Sequence, residues 1–271
     1  MKTLYSYIKN IQNPRYDGHI HFFNHNSSIV GKIPHEIYHD MKMVGFMDIE
    51  FDNIDNYNTV KLYDRFIDSV YDSNKHILLA TATNINDIKR IYKKHSNIIR
   101  GFGELKCYDK YQDKPVNYKD ISFVNEVVSF SSDCGSLPVY VHWEFNNIED
   151  VYELENIIKQ YPNVPIILCH CGMNDTNTEF AYHESYRLSE LYDNLWFDIS
   201  YTALDYFASN PMRILNLPND RIILGSDLNN KIYGINHNFK EEYDEIAKKM
   251  SIIYKFIDTD KNLFKLFNNF A

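Results

Sequence analysis

Glycine, proline and cysteine are all sparse in this chain, at 9, 8 and 4 of 271 residues. No Pro/Gly/Ser-rich stretch and no shift in composition divides it, so it reads as one domain spanning residues 1–271. The four cysteines, Cys107, Cys134, Cys169 and Cys171, form no CxxC and no disulfide-dense framework, so reduced thiols in a cytoplasmic protein are expected. No run approaches ~18 consecutive apolar residues, which excludes a helical membrane span. Met1–Arg15 has no apolar stretch of signal-peptide length. Positive charge is also short: 28 Lys and Arg against 37 Asp and Glu give a formal net charge of −9. A broad nucleic-acid surface needs clustered positive charge, so nucleic acid is not an expected partner, although a local basic site stays open.

What is present is an ordinary globular composition, 44% hydrophobic and 24% charged, in a chain long enough to bury a large core. Short apolar or β-rich runs recur every 20 to 40 residues or so. They are Tyr16–Phe23, Gly45–Phe51, His76–Thr83, Ile98–Tyr108, Leu137–Glu144, Val164–Met173, Leu195–Tyr201 and Arg221–Leu228. Polar stretches with helical spacing lie between them, as in Asn58–Asn74, Asn86–Ser96 and Asn146–Tyr161; the segment from Asn229 onward is mostly helix-compatible. Alternating β and α segments call for a parallel sheet covered by helices. Eight strands in a chain of this length predict an α/β fold of the (β/α)8 TIM-barrel kind, with a doubly wound open sheet as the competing architecture.

The first strand carries Asp17-Gly18-His19-Ile20-His21. Side chains alternate along a strand, so His19 and His21 face one way and can grip one divalent ion from the same side. Alone, HxH is a weak signal. The later strands strengthen it: His142 ends the fifth, His170 the sixth and Asp227 the eighth, while the fourth holds Glu104 and Lys106. In a barrel all these C-terminal strand ends converge on one mouth. Four histidines and an acid there suit zinc, manganese, iron, nickel or cobalt.

The order HxH, His, His, Asp on strands one, five, six and eight resembles the amidohydrolase superfamily of metal-dependent barrels. Asp17-Gly-His-Ile-His, His170-Cys-Gly and Leu224-Gly-Ser-Asp227 resemble its amidohydrolase 2 branch, and Lys261-Asn-Leu-Phe-Lys-Leu-Phe is similar to that branch's closing helix. The resemblance implies one or two divalent metals, zinc foremost, and usually hydrolysis of a small-molecule amide, lactone or ester. Some relatives decarboxylate or hydrate instead. It implies that His19, His21, His142, His170 and Asp227 hold metal, and that Asp227 also shuttles the proton of the activated water. In a mononuclear relative the histidine left over, His170 or His142, activates the substrate carbonyl. Gly103-Glu104 resembles the Gly-Glu of TatD-type barrels, which implies Glu104 as a bridging ligand; Lys106 is the alternative, either carboxylated or binding a substrate anion. Three other readings stay open: a nonoxidative decarboxylase, a TatD-type phosphodiesterase, and a barrel that binds metal without catalysis.

Strand alternation turns Cys169 and Cys171 away from the face of His170, so both are expected to pack as small apolar groups against the helices. His35-Glu36-Ile37-Tyr38-His39 fits HExxH, but Pro34 puts His35 in the first turn of a short helix, and no third ligand frames it. That loop is instead expected to lend His25, His35 or His39 to the pocket. Trp143 and Tyr201 are expected to bind substrate; Glu50, Thr83, Asn84, Glu144, Ser200 and Asn229 are further strand-end candidates. Arg100 reads as structural and Lys240–Lys249 as a solvated helix face. The expected partner is a small-molecule substrate, with homo-oligomerisation open.

Overall fold

The computed structural model describes residues 16–22, 42–47, 59–69, 71–106, 121–227 and 239–268. Eight parallel strands follow one another in chain order: β1 (Tyr16–Phe22), β2 (Lys42–Met47), β3 (His76–Ala80), β4 (Ile99–Lys106), β5 (Val139–His142), β6 (Ile166–Leu168), β7 (Leu195–Ile199) and β8 (Ile222–Leu224). The helices between and after them are α1 (Thr59–Ser69), α2 (Ile85–His95), α3 (Ile121–Asp133), α4 (Ile148–Gln160), α5 (Thr178–Leu191), α6 (Tyr201–Ser209), α7 (Phe239–Tyr254) and α8 (Thr259–Asn268). This is the (β/α)8 barrel, not the open sheet. β8 returns beside β1, where a Cβ on Gly18 would lie 2.9 Å from Leu224 O, and one on Gly225 would lie 2.6 Å from His19 N. Only glycine lets the two backbones come this close.

Each helix follows from its sequence. α1 buries Leu62, Tyr63 and Phe66 at helical spacing, and the Tyr63 hydroxyl donates to Leu79 O at 2.7 Å. α2 is capped by Asn84, whose side chain accepts from Asp87 N at 3.0 Å, and it ends in Lys93, Lys94 and His95, which suit the negative end of its dipole. α4 starts with a reciprocal capping box between Asn147 and Asp150.

Strand alternation sorts the core into two layers. Ile20, Val139, Val141, Leu195, Phe197, Ile222 and Leu224 face the helices. Val44, Leu79, Tyr140, Ile167, Trp196 and Ile223 face the barrel interior, where Leu263, Leu266 and Phe267 of α8 join them. α8 therefore plugs the N-terminal end of the barrel, and Asn262 Nδ2 pins it by donating to Asn219 O and Ile222 O at 2.8 Å each.

β4 departs from simple alternation. Phe102 pairs with Val139 and Leu105 with Val141, so three steps on β4 oppose two on β5. Phe102 and Leu105 both face the helices, and the extra residue lets Glu104 turn into the barrel. At Gly103 φ is +105°, and a Cβ there would meet Tyr140 O at 2.2 Å. Among the described residues, no helix is long and apolar enough to cross a membrane.

Candidate metal centre

His19 and His21 on β1, Glu104 on β4, His142 on β5, His170 after β6 and Asp227 after β8 converge at the C-terminal end of the barrel. All but His142 are almost fully buried, and the His142 side chain keeps 13% exposure. Glu104 stands in the middle. Its Oε1 lies 2.6 Å from His142 Nδ1 and 3.5 Å from His170 Nε2, while its Oε2 lies 3.7 Å from His21 Nε2. Asp227 reaches the same rings: Oδ1 is 2.9 Å from His21 Nε2 and 3.4 Å from His19 Nε2, and Oδ2 is 3.8 Å from His170 Nε2. Possible ligand atoms of His19, His21 and Glu104 lie within 4.8 Å of one another, as do those of Glu104, His142 and His170. The two groups share Glu104.

The electrostatics follow from this crowding. Burial by itself would lower the His19 imidazole, but Asp198, Asp227 and Glu104 outweigh it and raise the pKa to about 10. At His142 burial is likewise outweighed, by Glu104 and Glu144, and the pKa rises to about 9. Burial would raise the Asp227 carboxyl, yet His19, His21 and His170 hold it well below the usual carboxylate range.

His170 arrives by an unexpected route. β6 ends at Leu168, and residues 169–172 form a tight turn in which His170 (φ 55°) and Cys171 (φ 52°) adopt the left-handed conformation. The turn swings His170 inward, against the parity its strand would have given it. It also corrects the expectation for Cys169. Cys171 does pack in the helix-facing core, but Cys169 lies in the barrel interior, near His19 and Asp198. Two of the three are joined directly, since His19 Nδ1 donates to Asp198 Oδ2 at 2.6 Å.

Trp143 is also corrected. It is fully buried on the helix side, and its Nε1 donates to Asp150 O at 2.9 Å, so it anchors α4 and does not line the mouth. Tyr201 is 40% exposed with its ring 5.8 Å from that of His170, at the rim of the site. Lys106 pairs in register with His142; its side chain lies outside the described residues. Glu144 Oε1 stands 3.5 Å from His142 Nε2. Thr83 is exposed and Asn84 is occupied as the α2 cap. Glu50, Asn229, His25 and the His35–His39 motif lie outside the described residues.

One member of the site was not expected at all. Asp198, on β7, is fully buried beneath His19, and its Oδ2 also accepts the Ser200 hydroxyl at 2.6 Å. An acid inside the apolar run Leu195–Ile199, on the inward parity of Trp196, was the available signal.

Residues 136–259, which contain His142, His170, Asp198 and Asp227, match the family model described as Amidohydrolase. That match covers just under half of the chain, its C-terminal part, and likens this part to the amidohydrolase family. With the barrel fold, the match supports an enzyme of the hydrolase or related kinds found in that family. No curated protein sequence matches this chain significantly. Solved structures similar to it include a dihydroorotase from Campylobacter jejuni, at 14% identity over 94% of this chain and 83% of that one, with TM-score 0.56. A zinc-bound amidohydrolase from Burkholderia multivorans aligns at 13% identity over 89% and 92%, with TM-score 0.57. A TatD family hydrolase from Entamoeba histolytica aligns at 10% identity over 96% and 97%, with TM-score 0.56. At these identities the likeness concerns the fold.

The donor set fits a divalent metal. His170 Nε2 is buried, makes no hydrogen bond and faces Glu104 and Asp227. An imidazole nitrogen left this way is costly unless something else satisfies it. The companion nitrogen of His19 is held from behind by Asp198 at 2.6 Å, as is common in metal-bound imidazoles, and Glu144 stands 3.5 Å from His142 Nε2.

Proposed function

We propose that this chain is a metal-dependent hydrolase of a small-molecule amide, lactone or ester, using two divalent ions that share Glu104. The observation that carries the reading is the position of that carboxylate between the two groups: Oε1 lies 2.6 Å from His142 Nδ1, 3.5 Å from His170 Nε2 and 4.0 Å from His19 Nε2, and Oε2 lies 3.7 Å from His21 Nε2. His19 and His21 would hold one ion, His142 and His170 the other, with Asp227 reaching both groups. Zinc suits this nitrogen and oxygen set, and manganese, iron, nickel and cobalt are its competitors. When bound, such ions supply Lewis-acid activation of water and of the substrate's carbonyl oxygen.

The chain's own residues do the rest. Asp227 is ionised and lies among three imidazoles, so it is placed to take a proton from the attacking water and pass it to the leaving group. Tyr140 closes the floor beneath His19: its ring stands edge-on to that imidazole with centroids 6.2 Å apart, and its hydroxyl donates to Gly18 O at 3.1 Å. Tyr201, half-exposed beside His170, is positioned to contact the substrate from the rim. Phosphodiester cleavage is the second reading, favoured by a glutamate, not a lysine, in the bridging position on β4.

Elemental analysis of chelator-free protein tests the first reading, together with assays on amides, lactones, esters, an aryl phosphodiester and aromatic acids. About two equivalents of metal, lost in His19→Ala/His21→Ala, with hydrolysis of a carbonyl substrate, is expected. Turnover confined to the phosphodiester would select the second reading. CO2 release from an aromatic acid with no hydrolysis would overturn both.

A further inference from the structure

Ser200 occupies the N-cap of α6, where a serine hydroxyl ordinarily accepts a backbone N–H of the first turn, yet its side chain makes no capping bond. The hydroxyl is turned into the barrel instead. Ser200 is fully buried, donates to Asp198 Oδ2 at 2.6 Å, and meets His170 Nδ1 at 3.0 Å. The same Asp198 oxygen takes His19 Nδ1 at 2.6 Å, and Ser200 Oγ stands farther from that nitrogen, at 3.4 Å.

Counting protons fixes the direction of every bond. An ionised carboxylate only accepts, so both the His19 Nδ1 proton and the Ser200 proton point at Asp198. A hydroxyl has one hydrogen, and that of Ser200 is committed to Asp198. Its oxygen can then only accept from His170, which puts the His170 proton on Nδ1. Both rings consequently turn Nε2 toward Glu104 and Asp227. The two rings lie roughly parallel, with centroids 5.4 Å apart.

We propose that Asp198 and Ser200 are a shared positioning pair that fixes the ring tautomers of His19 and His170 together. One buried carboxylate thereby prepares a nitrogen in each half of the metal centre. His19 is held directly and His170 through the serine, so Asp198 controls a ring with which it forms no hydrogen bond. This rests on the two-metal reading above, and it explains why a serine at a helix start forgoes its cap.

Imidazole 15N NMR and 113Cd NMR on histidine-labelled, cadmium-loaded full-length protein test it. The wild type is expected to give two cadmium signals, with His19 and His170 both protonated on Nδ1. In Ser200→Ala, His170 should lose that single tautomer and its cadmium should bind ~10-fold or more weakly, a typical effect of removing an outer partner of a metal ligand. His19, held by Asp198 at 2.6 Å, should keep its proton on Nδ1. Ser200→Thr, which restores the hydroxyl, should return the His170 signature. Asp198→Ala should disturb both rings, since the freed serine hydroxyl can then donate to His170. If Ser200→Ala does not fold, the Thr and Asp198→Ala spectra still decide the matter.

No cadmium signal in the wild type would overturn the metal reading and this proposal with it. Two cadmium signals with His170 unchanged in both Ser200→Ala and Asp198→Ala would overturn this proposal alone.

Discussion

The two ends of this barrel are made from opposite materials on the same strands. Along the inward register, Tyr140 is followed by His142, Trp196 by Asp198, and Ile223 by Gly225 and then Asp227. Below that step the interior is apolar and sealed by Leu263, Leu266 and Phe267; above it the interior is imidazole and carboxylate. The lower end buries groups that gain by leaving water. The upper end buries groups that lose by it and that need one another, or a cation, to remain there. The lower end should therefore govern stability and the upper end chemistry, and each can be altered without the other.

The sharpest way to break that division is Asp227→Asn. It keeps the shape and removes the proton acceptor, so turnover should fall about 10²- to 10⁴-fold, the usual span for a general base. Steady-state kinetics beside a melting curve of the metal-loaded protein will check it. A loss of folding in place of turnover would contradict the division. The converse change is Phe267→Ala in the plug. Removing a buried aromatic typically costs about 3–5 kcal/mol, read as a lower denaturation midpoint. Metal content per folded molecule should stay at the wild-type value; a drop would mean that the ends are coupled.

A pH series separates the ends more gently. His19 and His142 have folded pKa values raised to about 10 and about 9, above the ordinary 6.5. In metal-free protein their contribution to stability is thus complete below about pH 6.5 and is lost as pH rises through about 9 and 10. Rising pH meanwhile frees ring nitrogens for a cation, so metal affinity should strengthen across the same window. The melting temperature of metal-free protein should fall between pH 7 and 10, and the gap to the loaded protein should widen. A gap that narrows would mean that these rings do not exchange protons for metal.

Much of this was legible in the sequence. Seven of the eight strands lie inside the apolar runs, because a strand buried on both faces leaves a near-continuous hydrophobic signature; β2 begins three residues earlier than its run, at Lys42. The cluster of His19, His21, Glu104, His142, His170 and Asp227 was also readable, since residues at C-terminal strand ends must meet in a barrel. What misled was parity. Alternation predicts facing only while the chain remains extended. At His170 the strand has already given way to a left-handed turn, so the reasoning that sent Cys169 outward and kept His170 inward used one rule across two conformations. On β4 an extra residue shifted the register before Glu104. Asp198 was missed because an acid one step inside a strand end looks like an interruption of the core, and its reason for being there, His19, is distant in sequence.

Trp143 gives the finest test of where the boundary runs, because it is adjacent in sequence to His142 and yet belongs to the other region. Its ring lies in the same helix-side core as Phe145 and Val151, and its indole N–H is spent on Asp150 O at the start of α4. Trp143→Phe should therefore cost roughly 0.5–1.5 kcal/mol for the lost hydrogen bond, with a further amount for the smaller ring. KM should hold at its wild-type value, because the peptide that carries Trp143 outward carries His142 inward. A KM that rises while the denaturation midpoint stays fixed would put the indole back at the mouth and move the boundary between the two regions one residue along β5.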